Sequence, residues 1–210
     1  MNLRNLALVS GLAVLGLSVG CIRSYNVTPL SPASLNTELK TTIGVEVRTK
    51  GFLDAKDVSE KFGTKLANDR QVVPVQVQIN NKGPESYKVL RANFVLLETG
   101  QNIKLDSLSN EQIYELGRHG YGAPVCGVLF GGVLGLPSLI TTMNSNDRLR
   151  DDYNRKLLSD TILDPGKEAS GVVFFDPAAK NLQRSGKYKL VVELLNTTTN
   201  AKSTVEQVLN

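Results

Sequence analysis

Apolar and polar residues alternate along much of the chain after residue 41, and this two-residue period predicts β-strands. The clearest runs are Val73 to Ile79 and Tyr188 to Leu194, where every second side chain is apolar. Because Pro74 cannot donate a hydrogen bond to a neighbouring strand, we expect it at an edge or a bulge. Further strands are predicted in "TTIGVEVRT", "YKVLRANFVLLE", "IKL", "ASGVVFFD" and "KSTVEQVL". Six to seven short strands with turns between them are typical of an antiparallel β-sandwich.

Two short segments show helix signals instead. In "LDAKDVSEKFG", Asp54 is a predicted N-cap and Gly63 a predicted stop. In "SNEQIYELG", Ser109 and Gln112 have capping-box spacing, and Gly117 can end the helix. The first helix interrupts the strand array early, and the second opens a larger insertion into it.

A third helix is predicted in "SNDRLRDDYNRKLLSDTIL". Leu149, Tyr153 and Leu157 fall at positions i, i+4 and i+8, which places them on one face. Three opposite-charge pairs at i, i+4 support the same helix, namely Arg148–Asp152, Asp151–Arg155 and Asp152–Lys156. Together with the "SNEQIYELG" helix and the apolar stretch before it, this helix forms a predicted insertion over residues 108–163.

The apolar stretch, residues 122–143, carries small residues at every fourth position. On a helix they form one stripe, and Leu129 and Phe130 lie on the other side. Each interior glycine costs a helix about 1 kcal/mol relative to alanine, so a close-packing partner is expected. Pro137 predicts a kink or the end of this helix. The stripe consists of Ala123, Gly127, Gly131 and Gly135.

This spacing resembles the small-xxx-small pattern of packed membrane helices and the glycine-zipper segments of bacterial envelope proteins. Three interpretations remain open. The segment packs against the sandwich, dips into a bilayer as a re-entrant or interfacial hairpin, or associates with a second copy. A single membrane crossing is disfavoured, because the strands before and after the insertion are expected to share one core. We therefore expect the chain to leave and re-enter the sandwich on the same side.

The first residues have the pattern of a secretory signal. Arg4 precedes an apolar run over residues 6–19, and small residues follow the run. The run is too short to predict a membrane-spanning helix. Its end, "LSVGC", resembles the lipobox of bacterial lipoproteins through Leu17, Gly20 and Cys21, with Leu17 one place earlier than in the common pattern.

The resemblance implies that residues 1–20 are removed and that Cys21 becomes the acylated N-terminal residue. Two or three acyl chains would anchor the protein firmly, since each buried CH₂ contributes about 0.8 kcal/mol. Ile22 stands where an aspartate would favour the inner membrane, which implies the outer membrane. Residues 21–40, rich in Ser, Thr, Asn and Pro, are expected to form a flexible tether. The alternative for Cys21 is a disulfide with Cys126, the only other cysteine.

Composition and motifs disfavour several functions. The 24 Lys and Arg against 20 Asp and Glu are not clustered, so no nucleic acid partner is expected. His119 is the only histidine and has no second ligand at metal-binding spacing. No nucleophile elbow, P-loop or C-x-x-C motif is present. We expect no catalytic residue, metal or cofactor. Asn26 and Asn196 lie in N-x-T sequons, which carry little weight in a bacterial lipoprotein.

The strand array over residues 41–209 resembles immunoglobulin-like domains of secreted bacterial lipoproteins. The expected fold is therefore mainly β, an immunoglobulin-like antiparallel β-sandwich with a helical, Gly-rich apolar insertion. The expected function is a non-catalytic structural or interaction module, lipid-anchored in the bacterial cell envelope. Its contact with a protein partner or a second copy is expected through residues 122–143. The alternative is a periplasmic ligand-binding or enzymatic domain whose site is built from loops.

Overall fold

The computed structural model describes residues 29–30, 40–68, 71–118 and 135–209. It divides into two compact units. The β unit comprises Asn26–Gly117 and Asp151–Asn210, and the second unit includes Arg118–Arg150. The elements, in chain order, are β1 (Lys40–Thr42), β2 (Val45–Gly51), α1 (Ala55–Phe62), α2 (Thr64–Asn68), β3 (Val73–Asn81), β4 (Tyr87–Val89), β5 (Phe94–Glu98), β6 (Ile103–Asp106), α3 (Asn110–Gly117), α4 (Gly135–Lys156), β7 (Thr161–Leu163), β8 (Glu168–Phe175), β9 (Tyr188–Asn196) and β10 (Lys202–Leu209).

The strands form two antiparallel sheets, so the expected mainly β architecture is confirmed. The four-stranded sheet has the order β1-β2-β3-β8. The six-stranded sheet has the order β6-β5-β9-β4-β7, and β10 pairs with the other side of β9. β4 and β5 follow one another along the same side of β9, where Tyr87 is opposite Asn196 and Phe94 is opposite Val192. The described part of the chain thus contains ten strands rather than six or seven.

One apolar core joins the two sheets. Alternate residues of β3 and β9 point into it, as the two-residue period predicts. β8 is different, because its apolar residues are consecutive. Val173 and Phe175 enter this core, whereas Phe174 packs against an aromatic cluster on the opposite face. The four-stranded sheet is therefore buried on both faces near the end of β8, and it is this outer face that positions the candidate site.

Two predicted strands are in fact broken. "TTIGVEVRT" forms the hairpin of β1 and β2, in which Ile43 and Gly44 both have positive φ. An added Cβ at Gly44 would lie 2.7 Å from the Cα of Gly83, so the close approach of these two backbone segments leaves no room for a side chain at position 44. "YKVLRANFVLLE" is interrupted between β4 and β5 by a 3₁₀ turn at Arg91–Asn93. A single alternating run can therefore hide a turn.

The expectation that Pro74 lies at an edge or a bulge is wrong. It belongs to β3, which pairs on both sides, and its register partner in β8 is Phe174. The Pro74 carbonyl accepts a hydrogen bond from Phe52 N at 2.9 Å, so the proline nitrogen faces the same side. The register with β2 ends at Gly51 and Val75. The missing donor of Pro74 therefore falls just beyond the end of that ladder, where it costs no strand pairing.

The helix predictions hold at the caps and fail at the C-terminal end of α4. The Asp54 carboxylate accepts hydrogen bonds at the start of α1, and the Ser109–Gln112 capping box starts α3. α4 ends at Lys156, although the predicted helix continued through the residues that form β7. Pro137 lies in the first turn of α4, where a proline is tolerated because first-turn N–H groups have no helical partner. The helix that it was predicted to kink or end lies over residues 122–134, outside the described residues.

Candidate functional site

The outer face of the four-stranded sheet carries a buried aromatic cluster. Phe62 at the end of α1 meets Phe52 and Phe174 edge to face, with ring centroids 5.2 Å apart in each pair. The ring of Tyr153 from α4 lies 5.9 Å from that of Phe174. All four side chains are almost fully buried. The cluster fixes α1 and the last turns of α4 onto β8.

Two side chains of α4 cap the C-terminus of α1. The Tyr153 hydroxyl donates to the Phe62 carbonyl at 2.7 Å, and Lys156 Nζ donates to the Lys61 carbonyl at 2.7 Å. Carbonyls in the last turn of a helix lack internal partners, so these bonds satisfy groups that burial would otherwise leave unpaired. Tyr153 and Lys156 are three residues apart and therefore share one face of α4.

Burial shifts the pKa of both capping groups. It raises the pKa of Tyr153, and the charge of Asp152 raises it further, so the hydroxyl stays a hydrogen-bond donor. Burial also lowers the pKa of Lys156, whose side chain is only 9% exposed. An ion pair with Asp152 at 2.6 Å opposes that shift, and the ammonium lies 5.5 Å from the centre of the Phe62 ring.

The chain leaves and re-enters the β unit at neighbouring points. α3 ends at Gly117, and a Cβ at that residue would lie 2.7 Å from the Tyr153 hydroxyl oxygen. Gly117 is the last residue of the β unit before the second unit, and the β unit resumes at Asp151. The points at which the chain leaves and rejoins the β unit therefore lie close together.

Both flanks of the insertion also bond to one edge of β8. Leu108 N donates to the Phe174 carbonyl at 2.8 Å, and Leu158 N donates to the Val172 carbonyl at 3.0 Å. Carbonyls two residues apart on a strand face the same edge, here the edge that β3 leaves free. The chain that returns from the insertion passes very close to β8, because a Cβ at Gly171 would lie 2.4 Å from the Cα of Leu158. These contacts cover part of an otherwise open sheet edge.

Beside this base lies an open groove of about 450 Å³ on the same face of the four-stranded sheet. Outward side chains of β3 and β8 form its floor, and the last turn of α4 forms one wall. Two acidic and two basic side chains line it, so its charge is balanced. The lining residues are Pro29, Leu30, Gln76, Gln78, Asp152, Arg155, Lys156, Glu168, Ser170 and Gly171.

Most of the residues singled out from sequence lie outside the described residues. Gly135 is described and is the first residue of α4. Within the described ranges, no three His, Cys, Asp or Glu side chains form a possible metal site, and no helix is long and apolar enough to span a membrane. The residues outside are Cys21, Cys126, His119, Ala123, Gly127, Leu129, Phe130 and Gly131.

Two buried polar side chains, Arg184 and Asn196, have no recognisable signal in the sequence. Arg184 is only 5% exposed, and its guanidinium donates to the carbonyls of Val72, Leu66 and Ala67. The last two carbonyls belong to the C-terminus of α2, where a cation is favourable. The Asn196 amide is engaged with the Glu85 carboxylate and with the amides of the turn that follows. This sequon asparagine therefore has a structural role in the loop.

No protein-family model and no curated protein matches this chain. It is similar to a candidate lipoprotein of Bacillus subtilis, ycdA, at 13% identity and a TM-score of 0.45, over 83% of this chain and 39% of ycdA. It is also similar to yjhA of Bacillus subtilis at 12% identity and a TM-score of 0.42, over 83% and 97%. A functionally unknown Listeria monocytogenes protein has 13% identity and a TM-score of 0.37, over 91% of each chain. These identities and TM-scores are too low to support an argument about the fold. The fold is therefore assigned from the strand pairing of this chain alone.

Proposed function

We propose that this protein is a lipid-anchored, non-catalytic interaction module of the bacterial cell envelope, and that residues 122–143 make its principal contact. One observation carries the proposal. Both flanks of the insertion, Leu108 and Leu158, bond to the same edge of β8, and Gly117 meets Tyr153. A segment whose two ends are fixed at one place can be presented to a partner while the sandwich stays intact.

The buried polar groups around this base support a scaffold rather than a reaction centre. Tyr153, Lys156 and Arg184 all donate to main-chain carbonyls at helix ends. Such bonds stabilise the fold because they satisfy acceptors that water cannot reach. Side chains committed in this way are poorly placed to exchange protons with a substrate.

The anchor in this proposal is Cys21, acylated after removal of residues 1–20, and the destination is the outer membrane. The sequence "LSVGC" and the apolar run before it support this assignment. We also propose an immunoglobulin-like class for the sandwich, in keeping with two antiparallel sheets that enclose one core. The groove beside α4 is open and balanced in charge, and we assign no ligand to it.

Replacing Cys21 with serine tests the anchor. The variant should incorporate no labelled fatty acid and should leave the membrane fraction, because serine offers no thiol for acylation. Metabolic labelling of the wild type and of Cys21→Ser, expressed at equal levels, measures this directly. Equal incorporation into the two proteins would contradict the lipid anchor.

A matched pair of substitutions at Gly131 tests the contact. If the small-residue stripe packs against an outside partner, Gly131→Leu should abolish association, whereas Gly131→Ala keeps a small side chain and should retain it. Chemical cross-linking in the intact envelope reports association, and urea unfolding reports the stability of the β unit. A Gly131→Leu protein that is less stable shows packing on the sandwich instead. If neither quantity changes, the stripe has no packing role and the proposed contact is wrong.

A further inference from the structure

The groove beside α4 has an unexpected neighbour from the start of the chain. Pro29 and Leu30 line it together with outward side chains of β3 and β8, among them Gln78 and Ser170. Leu30 is half-buried, and both residues belong to the β unit. The first strand begins only at Lys40. The chain therefore meets the four-stranded sheet ten residues before its own strand starts.

Burial of Leu30 favours this position. An apolar side chain gains free energy when it leaves water, and the fixed φ of Pro29 lowers the entropy lost when the backbone is held. We infer that the chain's own Pro29–Leu30 segment docks on the outer face of the four-stranded sheet, where it forms one wall of the groove, and that it pins the tether there.

Pinning changes how far the β unit can move from the membrane. Eight peptide steps separate Cys21 from Pro29, and nineteen separate Cys21 from Lys40. At roughly 3.3–3.6 Å per residue, a pinned tether reaches at most about 29 Å, whereas a free one reaches about 68 Å. This consequence rests on the proposed lipid anchor at Cys21. Given that anchor, the β unit is confined to partners that lie at the membrane surface.

Two insertions of equal length distinguish a pinned tether from a free one. A ten-residue proline-rich segment adds about 31 Å, and it is placed either between Asn26 and Val27 or between Ala33 and Ser34. The lipidated full-length proteins are reconstituted in phosphatidylethanolamine and phosphatidylglycerol vesicles. Energy transfer from a C-terminal fluorophore to a headgroup acceptor then reports the height of the β unit.

The pinned tether predicts that only the first insertion lowers energy transfer, because the second lies beyond the docking point. In a Leu30→Ser background the second insertion should lower it as well, since serine removes the apolar side chain whose burial holds the segment. Equal effects of the two insertions in the wild-type background, whether large or absent, would overturn the inference.

A membrane-free measurement separates this inference from the anchor. In a chain carrying Cys21→Ser and Cys126→Ser, Leu30→Cys combined with Ser170→Cys should be joined within one molecule by a short bismaleimide. The matched pair Leu30→Cys with Glu206→Cys, on the other sheet, should not be joined. Failure of the wild type to bind vesicles would count against the proposed anchor alone, whereas equal cross-linking of both pairs would overturn the docking.

Discussion

Replacing Gly171 with alanine tests how the chain returns from the insertion to the sheet. Gly171 has no positive φ, so alanine is compatible with its backbone conformation. A Gly→Ala change at such a position normally stabilises a protein by about 0.4–1 kcal/mol, because it restricts the unfolded chain. The added Cβ, however, would lie 2.4 Å from Leu158 Cα and 2.5 Å from Leu158 N. The close contact therefore predicts a loss of stability, whereas the backbone conformation predicts a gain.

The contact should outweigh the gain. The atoms that must move are main chain, and Leu158 is only 2% exposed and holds the 3.0 Å hydrogen bond to the Val172 carbonyl. Overpacking of this kind costs about 1–3 kcal/mol, and loss of the hydrogen bond adds about 0.5–1.5 kcal/mol. After the gain from the restricted unfolded chain is subtracted, we expect Gly171→Ala to lower the free energy of unfolding by about 0.5–4 kcal/mol. For a chain of this size each kcal/mol corresponds to roughly 2–4 °C in Tm.

Equilibrium unfolding in urea, followed by far-UV circular dichroism, measures the change in a Cys21→Ser background. Ser170→Ala is the control, because its side chain is exposed and the change should stay within about 0.5 kcal/mol. A Gly171→Ala protein that is as stable as its parent, or more stable, would refute the reasoning. It would mean that residues 157–158 do not pack on β8 and that the insertion is not held at its base.

Arg184→Met should lower the free energy of unfolding by about 3–5 kcal/mol, because three buried carbonyls lose a charged donor; urea unfolding measures it, and a loss below about 1 kcal/mol would contradict the capping role. Burial raises the pKa of Tyr153 and raises that of Tyr188 to about 12, from an ordinary value of 10. The unfolded chain loses these protons first, so this part of the stability is complete below pH 10 and falls as the pH rises towards 12. Urea titrations between pH 9 and 11.5 should show a shallower decline for Tyr188→Phe, and an unchanged slope would oppose this assignment.

Local signals in the sequence determined those elements whose structure depends on near neighbours. The alternation over Val73–Ile79 and Tyr188–Leu194 predicts β3 and β9, because a strand with one face in the core must repeat every two residues. The caps of α1 and α3 were equally predictable, since Asp54 and Ser109 bond to backbone groups two or three residues away. The resemblance of "LSVGC" to a lipobox also depends only on neighbouring residues, and the lipid anchor that it implies stays a prediction.

Only the tertiary structure decided the contacts between distant parts of the chain. "TTIGVEVRT" keeps its alternation through a turn. Glycine is required at position 44 of that turn because the backbone of Gly83 approaches it closely. The apolar run of β8 does not show by itself that its side chains are buried on both faces of the sheet, because the outer face is covered only by α1 and α4. The burial of Arg184 depends on carbonyls more than 100 residues earlier. Such contacts have no period and no fixed spacing, because the residues that form them meet only after the sheets have assembled.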